Sequence, residues 1–144
     1  MKSRTLCVLT LILLAAAAPA QEIRTDADME RYVGDLLGSV VDGAYERAFD
    51  VIRTHDTTIP DTEIDALQTS TRQQIESAEE RFGRAINYQF YDRQEIDDLM
   101  VQYTYLVVME RHLLRWRFVF FDKGGSWLLS HIEWDDRVHR VFNW

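Results

Sequence analysis

The apolar residues of this chain change their spacing once, at Gly83, and that change constrains the fold more than any other feature. Before Gly83 they recur three and four residues apart, and after it they alternate. Helical spacing followed by strand spacing predicts an α+β chain, with N-terminal helices laid on one face of an antiparallel sheet.

The helical half resolves into three segments. Met29, Tyr32, Val33, Leu36, Leu37, Val40 and Val41 form one stripe over more than three turns, the pattern of a helix with one buried side. Asp26 or Asp28 is placed to cap its first turn, and Asp42-Gly43 to stop it. A second helix carries Tyr45, Ala48, Phe49 and Ile52 and fades into the polar run His55-Asp56-Thr57-Thr58. Pro60-Asp61 opens a third, where the missing proline N–H costs nothing. It bears Ile64, Leu67, Thr71, Ile75, Ala78 and Phe82 and ends at Gly83. Its narrow stripe predicts a helix on the outside of the domain.

Four strands follow, over Ile86–Phe90, Leu99–Val107, Leu114–Phe120 and Trp127 to about Trp134. A second hairpin with its tip at Glu110-Arg111 pairs Val107 with Leu114, Tyr105 with Trp116, Tyr103 with Phe118 and Val101 with Phe120. All eight then share one face, and a one-residue slip would turn them to solvent. The opposite face carries Gln102, Thr104, Leu106, Arg115, Arg117, Val119 and Phe121, a mixed surface. The last hairpin has two readings. A Lys123-Gly124 tip pairs Phe120 with Trp127 and turns His131 and Glu133 onto the aromatic face, whereas a three-residue tip turns Leu128, Ser130, Ile132 and Trp134 inward. Arg137 to Trp144 is either a short fifth strand or a docked segment.

Residues 1–20 stand apart from this domain. Lys2 and Arg4 precede the uncharged run Leu6–Ala18, and Ala18-Pro19-Ala20 supplies small residues at the −3 and −1 positions, the signature of a secretory signal peptide. The run is shorter than the ~20 residues that span a bilayer, so a cleaved signal is expected rather than a stable membrane anchor. Cleavage leaves one domain, residues 21–144, in the periplasm, with no cysteine, because Cys7, the single one, leaves with the signal.

Charge narrows the partners. The formal net charge of −8 becomes −10 once Lys2 and Arg4 are removed, and −9 of it lies on residues 21–83. A chain this acidic repels phosphate backbones, so no nucleic acid is expected. Residues 84–144 carry −1 and thirteen of the aromatics, so any binding surface belongs to the sheet.

The order of elements, the segment Gly43-Ala44-Tyr45 with Ala48-Phe49, the helix end Phe82-Gly83 and Trp127 opening the last strand together resemble the nuclear transport factor 2-like superfamily. The resemblance is one of pattern over almost all of residues 21–144, and its matching residues are structural. It implies a strongly curved sheet wrapped around the helices into a cone with a cavity at the wide end. The superfamily includes isomerases, epoxide hydrolases, binding subunits and exported domains of unknown function, so fold alone does not decide function.

Within such a cone the candidates for contact with a ligand are Tyr103, Tyr105, Trp116, Phe118, His131 and Glu133. With His131 and Glu133 inward, desolvation would move their pKa values toward neutrality beside two tyrosines. No nucleophile or oxyanion donor set accompanies them. His55, His112, His131 and His139 lack metal-ligand spacing, and neither metal nor cofactor is expected. The leading expectation is an exported non-enzymatic domain that binds a small apolar or amphipathic ligand in the cone, or a protein through the sheet. The alternatives are a small cofactor-independent acid/base enzyme using His131, Glu133 and a tyrosine, and a homodimer formed across the mixed face around Leu106, Arg115, Arg117 and Phe121.

Overall fold

A computed structural model of the chain describes residues 20–142. The expected signal segment, apart from Ala20, and Trp144 lie outside the described residues. Three helices, α1 (Asp26–Val41), α2 (Tyr45–Arg53) and α3 (Asp61–Phe82), precede four strands, β1 (Ala85–Ile96), β2 (Met100–Met109), β3 (Leu113–Asp122) and β4 (Trp127–Asp135), and a 3-10 helix over Val138–Phe142. The strands form one antiparallel sheet in the order β1-β2-β3-β4. The fold is α+β, with the helices packed on one face of a curved four-stranded sheet. The tail is a docked 3-10 helix and adds no fifth strand among the described residues.

The cap of α1 differs from expectation. Thr25 is the N-cap: its Oγ1 accepts from the Asp28 N–H at 3.1 Å, and Asp28 Oδ2 accepts from the Thr25 N–H at 3.1 Å. This reciprocal pair satisfies two helix-end donors at once, and the hydrogen bond from Thr25 leads those holding the Asp28 carboxyl below its ordinary range. Along α1 the predicted stripe is buried, Met29 through Val40. On α3 only Ile64, Thr71, Ile75 and Ala78 are buried, which leaves its other sides to solvent.

Gly83 ends α3 with φ +80, and a Cβ there would stand 2.7 Å from the Glu110 Cβ. The close approach arises because the β2–β3 tip is bonded to this junction: the Arg111 N–H donates to Phe82 O and the Glu110 N–H to Arg84 O. Only glycine meets both demands without strain.

The β2–β3 register is the predicted one, with Val107 opposite Leu114, Tyr105 opposite Trp116, Tyr103 opposite Phe118 and Val101 opposite Phe120. β1 departs from simple alternation. It runs on to Ile96, and Ile86 and Tyr91 are extra residues at two bulges, so Ile86 points outward. Leu99 is not the inward start of β2; it belongs to the Asp97–Leu99 turn and is exposed.

The last hairpin follows neither expected tip. Asp122 pairs with Trp127 around a four-residue turn in which the Lys123 N–H donates to Ser126 O at 3.0 Å. Leu129 then faces Phe120, Ser130 is the extra residue of a bulge, and His131 faces Val119. The bulge restores the alternation so that Leu129, Ile132 and Trp134 point inward, while Leu128, His131, Glu133 and Asp135 point outward. Two segments seal the outer side of β4: the Trp127 N–H donates to Ile23 O at 2.7 Å and the Thr58 N–H donates to Leu129 O at 3.0 Å.

Candidate binding face of the sheet

The four aromatic candidates do share the inner face, but they are core. Tyr103 and Phe118 are fully buried, and Trp116 and Tyr105 nearly so. Phe118 lies 6.4 Å edge-on from Tyr105 and 6.1 Å from Trp116, which stacks in turn on Trp134 at 5.7 Å. Tyr32 of α1 meets Phe120 edge-on at 5.8 Å. The rings fill the space where the cone interior was expected to take a ligand. Burial pushes the Tyr105 phenol up to about 12 and raises that of Tyr103 as well, so neither loses its proton near neutral pH.

His131 and Glu133 are placed on the opposite face. The His131 side chain is 59% exposed, and Glu133 pairs with Arg117 across β3–β4. The sheet separates them from Tyr103 and Tyr105, so the acid/base set expected from the sequence is not assembled. The physical reason is the Ser130 bulge, which sets the facing of every later β4 residue. Trp134 is half-buried on Trp116, and Phe142 is exposed.

The outer face has an order that alternation alone hides. Read across the strands, Ile96 pairs with Met100, Met100 with Phe121 and Phe121 with Leu128. These four make an apolar row from one sheet edge to the other, and Ile96 is 66% exposed, Phe121 40% and Met100 36%. Beside it a pocket of about 200 Å³ is lined by Gln94, Ile96, Met100, Val101, Gln102 and Val119. The next rows are Gln94, Gln102, Val119 and His131, then Asp92, Thr104, Arg117 and Glu133, then Leu106, Arg115 and Asp135. A second, largely polar pocket of about 230 Å³ opens among Tyr91, Thr104, Arg115, Arg117 and Arg140.

Arg115 is buried, and its Nη2 donates to Asp135 Oδ2 at 2.5 Å. Burial pushes the Asp135 carboxyl up, but hydrogen bonds from Arg115 and the Arg137 N–H, with the charges of Arg115 and Arg117, hold it below its ordinary range. Sequence reasoning placed Arg115, Arg117 and Phe121 on this face but missed Ile96, Met100, Leu128 and Arg140. Ile96 and Met100 flank Asp97-Asp98, the turn signal that would have extended β1 and joined them in a pair.

Among the described residues no cluster of His, Cys, Asp and Glu is arranged to hold a metal ion, and no helix is long and apolar enough to cross a membrane. In comparisons with known proteins, no family model matches the chain and no curated protein is a significant match.

Proposed function

We propose that this chain is an exported, non-enzymatic binding domain that meets a protein partner through the outer face of its sheet. One observation carries the reading: the row Ile96–Met100–Phe121–Leu128 leaves contiguous apolar surface open across four strands, and such patches mark interaction sites. Export is supported by the signal pattern of residues 1–20. Membership of the nuclear transport factor 2-like superfamily is supported by three helices followed by a curved antiparallel sheet in the expected order. The ligand-in-cone and acid/base readings have less to rest on, because the inner rings are packed and His131 and Glu133 face away from them.

The test is photo-crosslinking from a reactive residue in place of Met100, with Gln74 on α3 as the control position. A discrete protein adduct formed from position 100 and lost in the Phe121→Lys variant supports the reading; an adduct of two copies of this chain identifies the partner as a second copy. No adduct from position 100, or one unchanged by Phe121→Lys, overturns it.

A further inference from the structure

The two outer pockets differ in chemistry and share a wall. Gln94 and Gln102, cross-strand partners, line both the arginine pocket and the apolar pocket. The arginine pocket is built by three separate devices. Alternation along β3 puts Arg115 and Arg117 on one face. The bulge in β1 turns Tyr91 outward, and its hydroxyl donates to Val141 O at 2.5 Å. That bond pins the 3-10 helix over the sheet and brings Arg140 to the same pocket.

The donors there exceed the acceptors. The Arg115 side chain is 7% exposed, its Nη2 is taken by Asp135, and its Nε has no partner. A buried charged donor left unmatched is costly, and such groups in folded proteins are otherwise paired. Arg117 Nη2 faces Glu133 and Asp135, while Arg140, exposed on the 3-10 helix, makes no ion pair among the described residues. Asp92 is the one acid on the pocket wall, and it accepts from Gln94 Nε2 at 2.8 Å.

We infer that this face takes an amphiphilic carboxylate, with its head among Arg115, Arg117 and Arg140 and a short apolar tail between Ile96, Met100 and Val119. A carboxylate suits the head because Arg115 Nε and the Arg140 guanidinium are the donors left without an acidic partner, whereas a phosphate dianion brings twice the negative charge to a site that already holds Asp92, Glu133 and Asp135. Its two oxygens also match the fork of arginine N–H donors. The tail removes apolar surface from water in the pocket of about 200 Å³, a gain proportional to the area it covers. The same chemistry is offered by a free short-chain fatty acid and by a protein C-terminus ending in an apolar residue. This inference rests on the reading of the outer face as the binding surface.

The test is titration of the whole folded domain with hexanoate against sodium chloride of equal ionic strength, following the arginine Nε–Hε resonances by NMR. The expected result is a saturable shift of the Arg115 signal, with affinity about ten-fold above that of acetate and about ten-fold weaker in the Arg140→Gln variant, the scale of one charge-assisted hydrogen bond. Arg140 is exposed, so that variant folds; Met100→Lys is expected to remove the advantage of hexanoate over acetate. A leucine-ending peptide compared in its free-acid and amide forms separates the sources: an acid form that outbinds hexanoate assigns the site to a protein C-terminus, and the reverse order assigns it to a free fatty acid. No saturable shift, equal binding of hexanoate and acetate, or equal affinity in Arg140→Gln overturns the inference. A position-100 crosslink that persists after that failure leaves the protein-binding reading standing.

Discussion

The Ser130 hydroxyl reaches across the last hairpin and donates to the Val119 carbonyl oxygen at 3.1 Å. It does so at the bulge that sets Leu129 inward, passes over Ser130 and then sets His131 opposite Val119. The facing of Ile132, Glu133 and Trp134 follows from that one extra residue.

Deleting Ser130 therefore leaves a regular ladder in which Ile132 and Trp134 still point inward. The expected cost is about 1 kcal/mol, the ordinary scale for a substitution that spares the core, with near-ultraviolet circular dichroism unchanged. Ile132→Ala, by contrast, empties a buried site and is expected to cost about 2–4 kcal/mol in denaturant unfolding. A deletion as damaging as Ile132→Ala would show that the bulge does not set the facing.

Asp135 gives the fold an acid limit. Its folded pKa lies below the ordinary carboxylate value, so the unfolded state binds more protons as pH falls. The stability it contributes is fully present above about pH 4 and is lost as pH drops through the depressed folded value. Asp135→Asn is expected to destabilise the domain by about 3 kcal/mol at neutral pH, since it strands the buried Arg115 charge, and to flatten the acid limb of a stability-against-pH curve. An acid limb unchanged in the variant would assign it to other carboxylates.

Gly83→Ala is expected to cost about 1–3 kcal/mol from the backbone conformation alone, since φ +80 with ψ −171 is a region essentially reserved for glycine, with a further loss from contact with Glu110. Adding Glu110→Gly removes the Cβ and carboxyl that the new methyl would meet and leaves the backbone strain. Thermal unfolding of the two single variants and the double variant separates the terms; full recovery in the double variant would show that strain contributes nothing.

The two faces of β3 predict opposite tolerance. Phe118→Ala, at a fully buried ring, is expected to cost about 3–5 kcal/mol. Phe121→Lys, three residues on and exposed on the outer face, is expected to stay within about 0.5 kcal/mol of the parent. Matched melting curves check both, and a large loss from Phe121→Lys would make the outer row structural.

The residues themselves determined most of the architecture. The stripe on α1, the breaks at Gly43 and Gly83 and the period-two runs each report burial on one side of a local element, and burial of that kind is written in spacing. The β2–β3 register was legible because eight apolar residues are satisfied in one pairing and exposed in its neighbour. The inner placement of Tyr103, Tyr105, Trp116 and Phe118 follows from it, although not that the four rings would fill the interior.

Tertiary structure alone decided the candidate site. A bulge adds a residue without disturbing composition, so nothing in the spacing marked Ser130 or Tyr91, and the two bulges fixed where His131, Glu133 and the 3-10 helix went. The row Ile96–Met100–Phe121–Leu128 joins residues from four strands, and the arginine pocket joins β3 to Arg140 through Tyr91 and Val141. Alternation tells each strand which side is buried, but which residues become neighbours on the open side depends on ladder pairing and bulges, and those are settled only when all four strands and the tail are in place.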